Sequence, residues 1–435
     1  MKYTLTCFLA ILLLGGINAF GQQKLDYVAL DDADTSLTPI QTAFNNKLTN
    51  VKVIGLGEAT HGDKTTYGFN FNMVRYLVGQ QGFRILFLEG PNSVFVPLND
   101  FIKNDSAYTI AQIDTLVNRK IPPGPDRDQQ MVTLLKWMKG YNLAHPSQKV
   151  KLMGMSLDLV PLPYMVNTYI KPYDPAGADA LIKEWKTANY NHLDMWNDLF
   201  NWQDTHQQLI ESLDNKVKQS LLSDFSNDKL TLEFYMDAWY IHKQNGVYIT
   251  DFGMVVHPNN FYWKLQSNPD YKKKGKANRN AQLSATRDSL MAVCVMQGTG
   301  SLKSIVWAHD SHVIKPGDST SLLMGDYLNR ALGKQYFTVL TDYSQGGSIR
   351  AFRETMSIRE SPHAQAGHPT VRELKEKYGM DEGIVFSTEL LKRGFGNAGI
   401  HGAGIEGSFF INELPLTSFD ALAVLKTLYP TDLIQ

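Results

Sequence analysis

Short apolar segments that alternate with longer amphipathic ones constrain the fold of this chain more than any other feature. The segment 65–81 lies between two such runs, and Phe69, Met73 and Leu77 fall on one face at helical spacing. Gly82 follows as a typical helix-ending residue. A strand, a helix and a second strand within this length predict a βαβ unit, and therefore an α/β fold with a mainly parallel sheet core and flanking helices. The predicted strands are 51–57, 84–88, 150–155, 304–308 and 336–340, and further helices are predicted over 128–142 and 321–331.

The middle of the chain has a different pattern. Residues 175–297 show helical periodicity with little strand signal, and five of the 7 Trp lie there. We interpret this segment as a large helical insertion that forms one wall of a cleft, although most of the Trp suit ordinary helix packing. Helices that begin at Arg127-Asp128 and at Arg287-Asp288 each lead into a strand, which indicates a duplicated βα unit.

The N-terminal residues predict a secretory signal peptide rather than part of the fold. Lys2 precedes an apolar run over 7–14, and small residues follow up to Gly21, after which we expect cleavage. The run is too short for a stable transmembrane helix, so we expect a periplasmic or secreted protein without membrane insertion. One domain, 22–435, remains, with Cys294 as a buried, unreactive thiol.

Composition excludes some classes of protein. Lys plus Arg number 42 and Asp plus Glu number 43, which gives a net charge of -1. Nucleic-acid binding needs a basic surface, so we expect no nucleic-acid partner. Nothing in the sequence indicates an oligomeric state.

Carboxylates or histidines follow four of the predicted strands directly. In open parallel sheets, ligands bind at the carboxyl ends of the strands, so these side chains should converge on one rim. They are Glu58, His61, Glu89, Asp158, His309 and His312.

These residue types suit hydrolysis. A histidine oriented by a carboxylate can take a proton from water, because its pKa lies near the working pH. Gly57 and Gly62 are expected to let the backbone approach the substrate. Neither a Gly-x-Ser-x-Gly elbow nor a phosphate-binding loop occurs. Three histidines with carboxylates could equally bind zinc or manganese, and their spacing leaves this alternative open.

The other histidines have less informative surroundings. We interpret five of them as structural, and expect the last three to lie in C-terminal Gly- and Pro-rich loops, where one could close over the cleft. In chain order they are His145, His192, His206, His242 and His257, and then His363, His368 and His401.

Several segments resemble the erythromycin esterase family. The first is Gly55-Leu-Gly-Glu-Ala-Thr-His-Gly62 with Phe83-Arg-Ile-Leu-Phe-Leu-Glu89. The second is Arg287-Asp-Ser-Leu-Met-Ala292 with Val306-Trp-Ala-His-Asp-Ser-His-Val313. Segments 134–158, 324–340 and 419–422 are also similar to the family, in the right order, so the likeness covers most of the chain.

The resemblance implies a small-molecule ester substrate, the lactone of a macrolide antibiotic, and no obligatory metal cofactor. It implies that His61 is the general base, that Glu58 and Glu89 orient it, and that His309 and His312 bind substrate or assist at the ester oxygen. Candidate substrate-binding residues are Asp158, Arg287 and Asp310.

The chain departs from the family pattern in three places. Asp63-Lys64-Thr65-Thr66 stands where Arg-Glu is often found, and Asp310 replaces an Asn. The acidic residue expected near the C-terminus has four candidates, Glu354, Glu360, Glu373 and Glu376. Three hypotheses follow: a metal-independent esterase, a metallohydrolase that uses the same cluster, and a non-catalytic binding protein for a bulky ligand.

Overall fold

A computed structural model describes residues 24–30, 36–103, 109–121, 127–156, 171, 175–187, 276–315, 323–350, 357–360, 369–401 and 410–434. The predicted signal peptide, Asp158 and most of the predicted insertion lie outside these residues. The insertion is described only at its two ends, 175–187 and 276–299, and both are helical as predicted.

Helices and strands alternate through the first part of the chain and again near its end. The strands are β1 (Val53–Glu58), β2 (Phe83–Pro91), β3 (Lys151–Ser156), β4 (Lys303–His309), β5 (Tyr336–Arg350), β6 (Ile358–Glu360), β7 (Gly383–Phe386), β8 (Asn397–His401), β9 (Phe410–Pro415) and β10 (Ala421–Leu428). The helices are α1 (Thr38–Phe44), α2 (Lys64–Gln80), α3 (Asn92–Lys103), α4 (Ile113–Lys120), α5 (Gln129–Ala144), α6 (Pro175–Thr187), α7 (Lys276–Thr299), α8 (Asp310–Val313), α9 (Met324–Leu332), α10 (Pro369–Tyr378) and α11 (Ser387–Lys392).

The strands form an eight-stranded sheet in the order β3-β2-β4-β1-β5-β10-β7, with β6 paired to β5. All neighbours from β3 to β10 are parallel, and only β7 and β6 run antiparallel to their partners. The predicted α/β fold with a mainly parallel sheet is therefore confirmed. Strands β8 and β9 form a separate antiparallel pair.

Apolar side chains cover both faces of the sheet, as expected for strands buried on both sides. Ile54 and Leu56 of β1 pack into one core layer with residues of α2, α3 and α5. Val53 faces the other layer, which includes residues of α7, α9 and α10. Cys294 is buried in this second layer, as predicted. No helix among the described segments is long and apolar enough to cross a membrane.

Two expectations about local structure are wrong. Arg287-Asp288 lies inside α7, eleven residues after its first residue, and does not begin a helix as Arg127-Asp128 does. The positional match that indicated a duplicated unit is therefore lost. His401 ends strand β8 and is buried, whereas we expected a loop.

The two glycines near the end of β1 have roles in packing and in a turn. A Cβ atom on Gly57 would lie 1.7 Å from Oδ1 of Asp310, so only glycine lets α8 pack against β1. Gly62 has φ of 76°, and its carbonyl accepts the N–H groups of Arg350 (2.9 Å) and Thr431 (3.0 Å). Gly62 thus fixes the turn after His61 to two later segments.

The segment 429–432 joins the N-termini of two helices. The Tyr429 carbonyl accepts the N–H of Lys64 (2.8 Å) at the start of α2, and the Asp432 carbonyl accepts the N–H of Gln129 (2.9 Å) at the start of α5. These bonds satisfy helix N–H groups that have no partner within their own helix. The start of α2, three residues after His61, is therefore anchored to this segment.

Candidate active site

Strands β1, β4 and β2 are neighbours, so the side chains at their carboxyl ends meet at one rim. Glu58 at the end of β1 is in register with His309 at the end of β4. Glu89 stands near the end of β2, on the other side of β4. The predicted convergence of these residues is therefore observed.

His61 and Glu58 form a hydrogen-bonded pair in the turn after β1. Nδ1 of His61 lies 2.9 Å from Oε2 of Glu58. The other carboxylate oxygen of Glu58 accepts the indole N–H of Trp307, from the adjacent strand β4. Glu58 is buried, whereas the side chain of His61 keeps 17% of its surface exposed. One imidazole nitrogen is thus oriented by a carboxylate, and the ring remains accessible.

His309 packs against His61, with 3.7 Å between the ring centroids and 39° between the ring planes. Its backbone N–H donates to Oε2 of Glu89 (3.1 Å), which fixes the strand end. Its Nε2 atom is buried and has no hydrogen-bond partner among the described residues. Burial, followed by the nearby His61, holds the pKa of His309 well below its usual value. His309 is therefore neutral at neutral pH.

Glu89 contacts both Arg287 and His312 at the rim. Its Oε1 accepts from Nη2 of Arg287 (2.9 Å) and lies 3.3 Å from Nε2 of His312. Burial alone would raise the pKa of Glu89, but its histidine and arginine neighbours outweigh burial and hold it well below the usual range. Glu89 is therefore ionised, and it anchors two donors from α7 and α8.

Comparison with known proteins places this arrangement in context. A family model described as erythromycin esterase matches residues 78–395, which is more than half of the chain. The chain belongs to the erythromycin esterase family. The matched region contains Glu89, Arg287, His309 and His312, while Glu58 and His61 precede it.

Solved structures support the fold. A protein from Bacillus cereus has a TM-score of 0.60 at 17% identity, with 95% of this chain and 97% of that chain covered. A protein described as a succinoglycan biosynthesis protein has a TM-score of 0.60 at 16% identity, with the same coverage. A mutant of the erythromycin esterase EreC in its open conformation has a TM-score of 0.50 at 15% identity and covers 95% and 99% of the two chains. No curated protein matches the chain.

Not every predicted site residue of this family member lies at the rim. Asp158 falls outside the described residues. Asp310 is fully buried, with Oδ1 accepting the backbone N–H of Thr341 (3.2 Å), so its position does not fit the predicted contact with substrate. Burial raises the pKa of Asp310 well above its usual value, with Asp342 and Glu58 adding to the effect. Asp310 packs against Gly57 at the end of β1.

Two carboxylates near the site were not predicted from the sequence. Asp288, next to Arg287 on α7, lies 2.6 Å from Nδ1 of His312. Asp342 on β5 is fully buried and lies 2.5 Å from Nδ1 of His401, whose ring stacks on Tyr343. The Arg-Asp dipeptide was the only local signal for Asp288, and the histidine partner of Asp342 comes 59 residues later.

None of the four acidic candidates near the C-terminus is shown to reach the rim. Glu360 is exposed on β6, Glu376 is exposed on α10, and Glu373 pairs with Lys377 on that helix. Glu354 lies outside the described residues. Among the remaining histidines, His145 is a structural residue that stacks on Tyr141 at the end of α5 (4.3 Å). Six further histidines lie outside the described residues: His192, His206, His242, His257, His363 and His368.

One group of side chains in the described part of the chain could bind a metal ion. His61, Glu89 and His309 each offer one donor atom, and these atoms lie within 4.8 Å of one another. Two imidazoles and a carboxylate suit zinc.

Proposed function

We propose that this erythromycin esterase family member hydrolyses a carboxylic ester or lactone with a water molecule activated by His61. The observation that carries the proposal is the hydrogen bond between His61 and the buried Glu58, because it orients an accessible imidazole as a base. The family supports the coarser conclusion of ester hydrolysis.

His61 and Glu58 act together on the attacking water. With the Nδ1 proton directed to Glu58, the Nε2 atom is free of a proton and can accept one from water. The imidazolium formed is stabilised by the Glu58 carboxylate, which Trp307 holds in place. Water attacks the carbonyl carbon, and the carbonyl oxygen becomes an oxyanion.

The other side of the rim suits the negative charge that develops. Arg287 and His312 both contact Glu89 and present positively charged N–H groups at the site. Such fixed donors stabilise an oxyanion in a partly dehydrated site. The imidazolium of His61 then returns the proton that it accepted from water to the leaving alkoxide, while neutral His309 packs against the His61 ring. The products are a carboxylic acid and an alcohol, or a ring-opened hydroxy acid.

Replacement of His61 tests the mechanism. We expect His61→Gln to lower kcat for ester hydrolysis by roughly 100-fold or more, because general base catalysis contributes about 10²–10⁴ in rate. His145→Gln is the matched control, since His145 is exposed and stacks on Tyr141, away from the rim. Mass spectrometry measures turnover, as the gain of one water by macrolides and smaller lactones and as the release of an acid and an alcohol from simple esters. Full activity of the His61 variant, with an unchanged Tm, would contradict the mechanism.

The same assay separates an enzyme from a binding protein and defines the substrate. We propose a macrolide or another lactone, since EreC is itself an erythromycin esterase. A ligand that binds in calorimetry while no ester in the panel is hydrolysed would favour the binding protein instead.

A metal-dependent hydrolase is the second candidate, and the triad of donors at His61, Glu89 and His309 favours it. A bound divalent ion would supply a more acidic water and polarise the carbonyl. Metal analysis of the purified protein, with activity measured before and after chelator, distinguishes the two. Stoichiometric metal with chelator-sensitive activity would favour this candidate over the metal-independent esterase.

We further propose that the protein works in the periplasm or outside the cell, on the basis of the charged start and apolar run of residues 1–21. N-terminal sequencing of the exported protein should start at Gln22. A product that retains Met1 would reject this proposal.

A further inference from the structure

The backbone pairing between β1 and β5 stops just before the candidate active site. The last paired residues are Leu56 and Val339, and the same register continued by two residues would place Glu58 beside Thr341. On its other side, Glu58 is still in register with His309 of β4. The end of β1 therefore keeps its backbone ladder to β4, while its ladder to β5 has ended.

The side chain of Thr341 takes the place of the missing ladder. Its hydroxyl accepts the backbone N–H of Ala59 (2.9 Å) and donates to the carbonyl of Gly57 (3.3 Å). In a regular parallel pair, the backbone of the facing residue would make these two bonds. Thr341 is fully buried. One hydroxyl thus fixes the two peptide groups that flank Glu58.

The surroundings of Thr341 hold this hydroxyl in place. The backbone N–H of Thr341 donates to Oδ1 of Asp310 (3.2 Å), and that carboxylate packs against Gly57. From α2, Nδ2 of Asn70 donates to the same Gly57 carbonyl (3.1 Å). The side chains of Thr341, Asp310 and Asn70 are all fully buried. The hydroxyl therefore has a defined position relative to the end of β1.

The geometry of the His61 pair depends on these peptide groups. Oε2 of Glu58 lies 2.9 Å from Nδ1 of His61, and the indole N–H of Trp307 donates to the other carboxylate oxygen. Trp307 thus restrains the carboxylate, and Thr341 restrains the backbone that carries it. Without the hydroxyl, the N–H of Ala59 would lose a buried partner, which is costly, so the chain would shift to find another. His61 follows Ala59 by two residues and would move with it.

We propose that Thr341 is a positioning residue, whose hydroxyl holds the backbone around Glu58 so that the carboxylate orients His61. Thr341 acts through the peptide groups of Gly57 and Ala59. Its effect on the rate rests on the proposed ester hydrolysis, whereas its effect on the hydrogen bond between Glu58 and His61 does not.

The variant Thr341→Val removes the hydroxyl and keeps a β-branched side chain. We expect kcat to fall by roughly 10- to 100-fold with KM within about threefold, because misplaced catalytic groups slow the chemical step more than they weaken binding. In protein labelled with 15N-histidine, the proton on Nδ1 of His61 gives an NMR signal that reports its hydrogen bond to Glu58. We expect this signal to move upfield or to broaden through exchange with water.

Thr338→Val is the matched control. Thr338 is fully buried on the same strand, and its hydroxyl donates to the carbonyl of Val313 at the same distance, 3.3 Å. That carbonyl keeps its bond from the hydroxyl of Tyr336 (2.6 Å). We expect Thr338→Val to leave the His61 signal unchanged and kcat within about threefold of the wild type.

An unchanged His61 signal in folded Thr341→Val would overturn the proposal, and so would an unchanged kcat. An equal change in Thr338→Val would also overturn it, because the effect would then be a general loss of packing. Thr341→Ser keeps the hydroxyl and decides if Thr341→Val does not fold: we expect the wild-type signal, and its loss would overturn the proposal. If the wild type hydrolyses no ester, the NMR comparison still tests this inference, so the two failures are distinguishable.

Discussion

Single residues at the end of β1 determine how closely the site is packed. Gly57→Ala would place a methyl group 1.7 Å from Oδ1 of Asp310, which is fully buried and cannot move aside freely. We expect a loss of roughly 1–3 kcal/mol in the free energy of unfolding, as for other overpacked positions, measured by urea denaturation. Gly68→Ala is the control, because nothing lies within 4 Å of its added methyl group on α2. That variant should gain roughly 0.4–1 kcal/mol. Equal stability of the two variants would contradict the packing role of Gly57.

At the same scale, the sequence predicted which side chains lie together at the rim of the sheet. Five of the predicted residues lie at or just after the end of a strand, and this position was enough to predict that they lie close together. They are Glu58, His61, Glu89, His309 and His312. The bond from Trp307 to Glu58 joins residues 249 positions apart, and the contact of Asp288 with His312 depends on how α7 packs against α8. Contacts between distant segments leave no periodic pattern, so sequence reasoning had no means to find them.

At the scale of elements, the start of α2 is sensitive to pH. Asp63 caps this helix, with Oδ1 accepting the N–H of Thr65 (2.8 Å), and burial raises the pKa of its carboxyl from 3.8 to about 7. The folded state therefore binds a proton that the unfolded state releases. The contribution of this bound proton to the free energy of unfolding is complete below pH 4 and is lost as the pH rises through about 7. Asp63→Asn keeps a capping oxygen but cannot ionise. We expect it to match the wild type at pH 4 and to exceed it by about 2–4 kcal/mol at pH 8, by urea denaturation.

The control for this prediction is Asp432→Asn. Asp432 is exposed and pairs with Lys64 at 3.3 Å beside the same helix start, so its removal should change the pH dependence little. A constant difference between Asp63→Asn and the wild type from pH 4 to pH 8 would show that Asp63 ionises normally in the folded state. The sequence predicted α2 to within one residue at each end, because amphipathic spacing and Gly82 mark it. It could not indicate that segment 429–432 covers the start of this helix.

At the scale of the whole molecule, Cys294 reports on unfolding. Burial in the layer between α7 and the sheet raises the pKa of its thiol to about 12, so the reactive thiolate is scarce. In a chain that starts at Gln22, Cys294 is the single thiol of the 2 Cys in the sequence. We expect a thiol reagent to modify Cys294 only as fast as the protein unfolds around it. The absorbance of the reagent, followed with and without urea, measures the modification. Rapid stoichiometric modification of the native protein would show that the thiol is accessible to the reagent in the folded state.

The order of strands in the sheet has a consequence for the synthesis of the protein. Strand β1 pairs with β4 and β5, which follow it by roughly 250 to 280 residues in the chain. Until those residues have been made, the apolar β1 has neither neighbour, and β2 has only β3. Strand β1 therefore stays without either neighbour until β4 and β5 are present, and His61 can meet His309 only after that long-range pairing has formed. The candidate site can therefore form only late in folding, after β4 has paired with β1.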